Sequence, residues 1–322
     1  MKQQMTPTEA LNVIDQSYAT KFAAESSGWI EMGAYDVVAK LAEVKDGQIL
    51  VDIGSAFGPL AVVIANQLQR TQQAARIICV ERSAFLVREF IQILENARLL
   101  TGAYMMWQPV LEMKDNKCLV TRDFILDIKQ LKKLKIDERK NGVWIICDDV
   151  RSRKILDHAL PKEIDAMTFT FPGAGTSAAY EAPYCAKGPA NDAEMMASMR
   201  TVSDEVRRAT YALASERVRA GGRLVVAERV PRPENLEDKA SAFATMMMDQ
   251  FSRRMKPFDR YWVAHETAFI KQDVRNLQGP LQWSLQLTPN SREIQFDATN
   301  MGATAFIVCL ERNEVPFEQP TS

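Results

Sequence analysis

The stretch "ILVDIGSAFGPLAVVIA", residues 49–65, decides the fold. Its first apolar run is typical of a buried strand and ends in an acid, Asp52, with Gly54 and Gly58 soon after it. A second apolar run begins at Pro59, a residue well suited to the first turn of a helix. Glycine is needed in such a bend because a Cβ would obstruct a left-handed backbone or an approaching ligand. The stretch therefore predicts a strand, a tight turn open to a ligand, and a helix.

Short apolar strands alternate with amphipathic helices on the C-terminal side of this stretch. A helix is predicted from Pro59 to about residue 69, and Ser83 is placed to cap the next helix. The buried stripe predicted for that next helix consists of Leu86, Phe90, Ile93 and Ala97. Further strands are predicted at 75–81, 142–149, 164–171 and 221–229, and a long helix at about 192–219 is predicted to end at Gly221 and Gly222. This alternation predicts a parallel sheet with helices on both faces.

The predicted fold class is therefore α/β, with a Rossmann-like, mostly parallel sheet. Residues 281–287 and 304–310 are predicted to pair as antiparallel C-terminal edge strands. The predicted domain division is a helical N-terminal cap at 1–46, a Rossmann-like domain at 47–312 and a C-terminal tail at 313–322. The domain has predicted insertions at about 99–141, which contains a hairpin around residues 115–116, and at 172–191.

The composition excludes several classes of protein. With 322 residues, 47% of them apolar, the chain can bury a large core. Its 40 Lys and Arg residues against 41 acids give a net charge of -1, so no global field attracts nucleic acid or a membrane. Five scattered cysteines without a Cys-x-x-Cys pair favour a reducing compartment, and two histidines offer little for a metal site. We expect a soluble, cytoplasmic protein with no membrane partner and no bound metal.

The turn itself excludes two kinds of phosphate loop. A Walker loop requires Gly-Lys-Ser/Thr before its helix, where this chain has Gly58, Pro59 and Leu60. A dinucleotide-binding fingerprint counted from Gly54 requires glycines at positions 56 and 59, where this chain has alanine and proline. A nicotinamide oxidoreductase is therefore a minor alternative.

Acids at the ends of two further strands indicate an adenosine-like ligand. Glu81 ends the second strand, where a carboxylate can accept two hydrogen bonds from a ribose diol. Asp148 and Asp149 end a later strand, where one acid could accept from an adenine amino group and the other could cap the following helix. Asp123 in "KCLVTRDF" is an alternative to Asp149, which is favoured because its spacing to Asp165 suits one short helix between adjacent strands.

These stretches resemble the class I S-adenosylmethionine-dependent methyltransferases. The matching pieces are "VDIGSAFG" for the first motif, "VERS" for the ribose acid, "CDDV" for the adenine-side acid and "DAMTFTFPGAG" for the fourth-strand motif, with "AGGRLVVAE" after it. The resemblance follows element order over about residues 30–310 but matches by residue only in these pieces. It implies S-adenosylmethionine as cofactor, bound by Asp52, Gly54, Ser55, Gly58, Glu81, Arg82, Asp148, Asp149, Val150, Thr170 and Phe171.

Two departures bear on the acceptor. Ala56 replaces the usual middle glycine of the first motif, and the fourth motif is not the Asn/Asp-Pro-Pro-aromatic form of methyltransferases acting on nucleobases. A small molecule is therefore the leading methyl acceptor. The segment "EMGAYDVVAKLAEVKDGQILVDIGS" resembles the helix before the first motif in non-SET histone-lysine methyltransferases, so a protein lysine is an alternative. RNA is another, and a non-catalytic interaction module with the same fold is a third.

The predicted reaction requires few catalytic groups from the protein. Methyl transfer from a sulfonium is an in-line displacement on an activated donor, so alignment and desolvation supply much of the rate. A general base is needed only for a protonated O, N or C acceptor. His265 and Tyr184 are candidates by residue type, whereas His158 is predicted to be an ordinary surface or core histidine. The sequence predicts neither the catalytic residue nor the oligomeric state.

Overall fold

The computed structural model describes residues 29–31, 33–105, 107–114, 117–124, 141–153, 156–172, 192–230, 262–270, 280–283, 294–297 and 304–314. Its helices are α1 (Ala34–Ala42), α2 (Pro59–Arg70), α3 (Ala84–Asn96), α4 (Leu156–Ala159) and α5 (Asp192–Arg217). Its strands are β1 (Ile49–Ile53), β2 (Arg76–Glu81), β3 (Leu100–Met105), β4 (Trp107–Lys114), β5 (Lys117–Phe124), β6 (Gly142–Cys147), β7 (Ile164–Thr170), β8 (Val218–Val230), β9 (Trp262–Ile270), β10 (Pro280–Trp283), β11 (Ile294–Asp297) and β12 (Thr304–Arg312).

Eight strands form the main sheet in the order β3-β6-β2-β1-β7-β8-β12-β9. The strands from β3 to β8 in this order pair in parallel, and β12 pairs antiparallel with both β8 and β9. The predicted Rossmann-like, mostly parallel sheet with antiparallel C-terminal edge strands is therefore confirmed. The chain order reverses between β1 and β7, which is where open α/β sheets bind their ligands.

The pairing predicted for the C-terminal strands is wrong in one detail. β12 pairs on one side with β8 and on the other with β9, so both of its edges are occupied. Strand β10, which covers the start of the predicted strand 281–287, pairs instead with β11 in a separate two-stranded sheet. The hairpin around residues 115–116 is confirmed, since Lys114 of β4 is the register partner of Lys117 of β5.

Strand β3 was not predicted from the sequence. It lies within the segment 99–141 and pairs with β6 at the edge of the main sheet. Its sequence, "LTGAYM", mixes small, polar and apolar residues without a strand pattern, and pairing with the apolar strand β6 supplies the order.

Two details of the predicted helices are also wrong. Ile93 is 41% exposed, and the buried face of α3 runs instead through Leu86, Phe90 and Leu94, one residue in four. Gly221 and Gly222 lie inside β8, because α5 ends at Arg217. The pairing of β7 with β8 is irregular there, and a Cβ on Gly222 would lie 2.7 Å from the carbonyl oxygen of Asp165.

Helix α1 of the predicted cap packs against the main sheet. It contacts β7, β8 and β12 as well as α2. At its C-terminal end, the guanidinium of Arg223 in β8 donates to the carbonyl of Leu41 (3.0 Å) and pairs with Glu43 (2.6 Å). At its N-terminal end, Tyr35 is buried. Residues 1–28 of the predicted cap lie outside the described residues. Within the described residues, no helix is long and apolar enough to cross a membrane.

Candidate functional site

One cavity lies at the carboxyl ends of β1, β2, β6 and β7, beside the reversal in strand order. It is an open cleft, and the space within it amounts to about 880 Å³ when open solvent is included. Ten of the eleven residues predicted to bind the cofactor line it, namely Asp52, Gly54, Ser55, Glu81, Arg82, Asp148, Asp149, Val150, Thr170 and Phe171.

The turn after β1 places Gly54 against the cavity. Gly54 has a φ of 72°, and an added Cβ would have no atom within 4 Å, so the backbone there faces open space. The amides of Gly54 and Ser55 both donate to the carbonyl of Val80 (2.8 and 3.2 Å), which fixes the turn to β2. Ala56 adopts a φ of 49°, a conformation that costs a residue with a Cβ about 1–2 kcal/mol.

Gly58, the eleventh predicted residue, is not among the residues that line the cavity. It precedes α2 with a φ of 70°, and an added Cβ would lie 1.8 Å from two ring carbons of Phe90. The structure thus explains this glycine by helix packing. Its predicted role beside the methionine part of a cofactor stays a prediction.

The Glu81 carboxylate links the turn to the start of α3. Its Oε2 accepts from the amide of Ala56 (3.0 Å) and its Oε1 from the amide of Ser83 (2.7 Å). Burial raises the pKa of Glu81, and the backbone amides of Ser83, Ala56 and Arg82 partly oppose that effect. A carboxylate has about four acceptor positions, so about one remains for a ligand. Ser83 also caps α3, as predicted, by accepting from the amide of Leu86 (3.5 Å).

Asp52 is almost fully buried, and only one of its two carboxyl oxygens has a hydrogen-bond partner among the described residues. Its Oδ1 accepts from the hydroxyl of Thr168 on β7 (2.8 Å), but its Oδ2 has no hydrogen-bond partner among the described residues. Burial raises the pKa of Asp52 to about 7, with a further rise from the nearby charge of Glu81. The hydroxyl of Ser55 is also buried, and the described part of the chain offers it no hydrogen-bond partner. Buried polar atoms without partners are rare, which points to a ligand that completes them.

Asp148 acts as a cap on the segment that follows β6. Its Oδ1 accepts from the amide of Asp149 (2.8 Å) and the hydroxyl of Ser152 (3.3 Å), and its Oδ2 accepts from the amide of Leu156 (3.2 Å). Of the two acids left open by the sequence, Asp148 is therefore the one that satisfies backbone donors at the start of α4.

The Asp149 carboxylate is held by Arg151. Its Oδ1 accepts from the amide and Nε of Arg151 (2.9 and 3.0 Å), and its Oδ2 accepts from Nη2 (2.7 Å). The same guanidinium reaches Glu205 of α5 (2.9 Å). Burial would raise the pKa of Asp149, but the Arg151 hydrogen bonds outweigh it and the pKa is lowered. Arg151 therefore competes with any adenine amino group for this acid, whose predicted role stays a prediction.

Asp123, the alternative adenine-side acid, lies elsewhere in the sheet topology. It belongs to β5 and is the register partner of Gln108 in the two-stranded β4-β5 sheet. It therefore does not lie at the carboxyl edge of the main sheet.

An aromatic wall closes the cavity on the side of the cap. The rings of Trp29 and Phe171 stack with centroids 4.1 Å apart, and the ring of Tyr35 meets Phe171 edge-on at 5.9 Å. Phe171 has a φ of 47°, and its amide donates to the carbonyl of Ala227 (2.7 Å). Trp29 and Tyr35 were not predicted as site residues. Their only signal in the sequence was the presence of aromatic residues on the helical cap.

Of His158, His265 and Tyr184, only His158 has a described side chain, and it does not line this cavity. His158 is exposed on α4. His265 lies in β9, where the structure describes the backbone only, and Tyr184 lies outside the described residues. Among the described side chains that line the cavity, none is an imidazole.

Comparisons with known proteins concern the fold. No protein-family model matches the sequence, and no curated protein matches it. Similar solved structures include precorrin-6y C5,15-methyltransferase from Geobacter metallireducens (TM-score 0.38, 10% identity, covering 86% of this chain and 88% of that one). An rRNA methylase from Streptococcus thermophilus is similar with a TM-score of 0.34 and 12% identity over 87% of this chain and 95% of that one. The [4+2]-cyclase SpnF has a TM-score of 0.37 and 15% identity over 73% of this chain and 57% of that one.

Methyltransferases are thus among the solved structures whose fold is similar to that of this chain. The similarities are distant, and a fold by itself does not specify a reaction.

Proposed function

We propose that this chain is an S-adenosylmethionine-dependent methyltransferase. The observation that carries the proposal is the cavity at the carboxyl edge of the sheet, where the open backbone of Gly54 meets the carboxyl groups of Asp52 and Glu81. Glu81 retains an acceptor position for a ribose hydroxyl, and Asp52 has a buried oxygen without a hydrogen-bond partner among the described residues. Together these groups fit the ribose and the ammonium of such a cofactor.

Each part of the cofactor has a candidate partner. Glu81 would hold a ribose hydroxyl, Asp52 the ammonium, and the backbone at Gly54 would pass beside the methionine chain. Val150, which lines the cavity just after β6, would pack against the adenine. Bound there, the sulfonium supplies an already activated methyl group.

The chain's own contribution to the transfer is alignment and exclusion of water. The stacked rings of Trp29 and Phe171 cover the cavity on the side of the cap, which removes water from the reacting groups. Thr170 ends β7 and Phe171 follows it, and both would face the methyl group, so the acceptor would dock beside them.

The acceptor proposed first is a small molecule. A concave cleft with an aromatic wall favours a compact acceptor held beside the cofactor. The side chain of a protein lysine and an RNA nucleotide are the alternative acceptors, and an O, N or C atom could receive the methyl group.

Ligand-dependent stabilisation tests cofactor binding. S-adenosylhomocysteine at saturating concentration is expected to raise the melting temperature of the protein, and Glu81→Ala is expected to abolish that rise. Glu89→Ala on the exposed face of α3 is the matched control and should leave the rise unchanged. Each shift is measured against the same variant without ligand, which removes differences in intrinsic stability. Absence of a rise in the unmodified protein would refute cofactor binding.

A labelling experiment tests activity and the acceptor class. The protein is incubated with methyl-labelled S-adenosylmethionine and a cell extract, and the label is followed into small molecules, protein and RNA. Label in the small-molecule fraction is expected. Label confined to protein or RNA would select the corresponding alternative.

A non-catalytic interaction module with the same fold is the second candidate. The observation that favours it is Ala56, which adopts a left-handed backbone in the turn where the resembled enzymes have glycine. Cofactor binding without transfer of label into any fraction would establish this candidate.

A further inference from the structure

Asp52 is a buried acid, and one of its carboxyl oxygens has no hydrogen-bond partner among the described residues. It is 1% exposed and lies in the middle of the sheet, between β2 and β7. One carboxyl oxygen accepts from the hydroxyl of Thr168 (2.8 Å), and the other has no hydrogen-bond partner among the described residues. A charged carboxylate in this position would have one neutral donor and no cation, which is costly in a buried site.

The groups around Asp52 do not supply that cation. From β2, Cys79 is its register partner, and Glu81 acts on it as a like charge. From β7, the register partner is Thr168, which does not titrate. The other ionisable groups that line the cavity are Arg82, Asp148, Asp149 and Tyr35.

None of these four groups neutralises Asp52. Arg82 acts electrostatically on Glu81 and Asp149. Asp148 and Asp149 are acids with partners of their own, and Tyr35 packs edge-on against Phe171. Among the described residues, the charge at Asp52 therefore has no counter-ion in the ligand-free protein.

We propose that Asp52 holds a proton in the ligand-free protein and releases it to solvent when the ammonium group of the cofactor binds beside its unpartnered oxygen. The inference rests on the proposed function and adds a proton-linked control of the same site. Binding then replaces a neutral carboxyl by a carboxylate paired with an ammonium, which is the arrangement that a buried acid favours.

The sign of the effect follows from the two states. Burial raises the pKa of Asp52 to about 7 in the ligand-free protein, and an adjacent ammonium lowers it. Below about pH 7 the proton must leave before the ammonium can pair, so cofactor affinity falls as the pH falls. Well above pH 7 the carboxyl is already ionised, and affinity no longer depends on this group.

Two ligands that differ at the ammonium test the inference on the unmodified protein. S-adenosylhomocysteine carries the amino acid, whereas 5′-methylthioadenosine shares the ribose and the adenine but lacks it. Protons released on binding are counted by calorimetry in two buffers of different ionisation enthalpy. Any proton released by Glu81 at the ribose contributes to both ligands and cancels in their difference.

At about pH 6, S-adenosylhomocysteine is expected to release about 0.9 proton more than 5′-methylthioadenosine, and at about pH 8 only about 0.1 more. Its affinity advantage over 5′-methylthioadenosine should be about tenfold smaller at the lower pH. Equal proton counts at pH 6 would overturn the inference and leave the proposed function standing. If neither ligand binds at either pH, the proposed function fails and the inference with it.

Two variants locate the proton. Asp52→Asn should remove the difference in proton release between the two ligands. Thr168→Val removes the hydrogen bond that stabilises the ionised form, so the same difference should persist and extend to higher pH. A difference that survives Asp52→Asn, or a window that Thr168→Val leaves unmoved, would assign the proton to another group.

Discussion

Replacing Gly58 by alanine tests the packing role that the structure gives this residue. The backbone φ of 70° costs an alanine about 1–2 kcal/mol. The new Cβ would also lie 1.8 Å from two ring carbons of Phe90, which is buried and must move. Overpacking of this kind typically costs about 1–3 kcal/mol. Together the two effects predict that the free energy of unfolding falls by about 2–5 kcal/mol.

Gly54 provides the matched control. Its φ of 72° is nearly the same, but an added Cβ has no atom within 4 Å. Gly54→Ala should therefore cost only the backbone part, about 1–2 kcal/mol. It should weaken S-adenosylhomocysteine binding, because the methyl group enters the cavity, whereas Gly58→Ala should alter stability more than binding.

Urea denaturation of both variants measures the difference. Phe90→Leu in the Gly58→Ala background is expected to recover about 1 kcal/mol or more of the loss attributed to the ring, since leucine is smaller. Equal destabilisation by the two glycine variants, or no coupling to Phe90→Leu, would refute the assignment of Gly58 to packing.

Three further predictions follow from the site. Burial raises the pKa of Asp52 from its unfolded value of 3.8 to about 7, so the folded state binds the extra proton between these pH values. The unfolding free energy of the ligand-free protein relative to that of Asp52→Asn, measured by urea denaturation, should therefore fall by roughly 1.4 kcal/mol per pH unit as the pH rises from about 4 to 7. Arg151→Ala should lower the unfolding free energy by about 1–3 kcal/mol by leaving Asp149 unpaired, whereas Arg208→Ala at an exposed position should stay within about 0.5 kcal/mol. Trp29→Ala should lower the unfolding free energy by about 3–5 kcal/mol because the indole is fully buried against Phe171, and Trp29→Phe should retain most of that stability. A loss below about 1 kcal/mol for Trp29→Ala in thermal or urea unfolding would contradict the proposed closure by the cap.

Local patterns account for the parts of the fold that the sequence predicted well. The stretch 49–65 specified β1, the turn and α2, because an apolar run, glycines and a helix-starting proline act through neighbours in the chain. The same holds for the strand-end position of Glu81 and for the cap at Ser83. These features depend on a few consecutive residues, so the sequence displays them directly.

The incorrect predictions concern contacts between distant segments. The partner of β12 depends on which strand reaches its free edge, and that strand, β9, precedes it by more than thirty residues. Strand β3 forms because β6 offers an edge, and no local pattern announced it. Ile93 was assigned to the buried stripe because helical periodicity gives a stripe but not the exact direction in which the core lies.

The sequence by itself determined the fold class and the acids that end the strands, because strand, turn and helix signals and the order of the elements are local properties. Only the tertiary structure decided the pKa and the hydrogen-bond partners of each acid. Asp149 is paired with Arg151, whose guanidinium also donates to Glu205 on helix α5. Asp52 holds a raised pKa because β2 and β7 enclose it and leave one oxygen without a partner. Burial and pairing are properties of segments brought together by folding, and they set the charge that the site offers to a ligand.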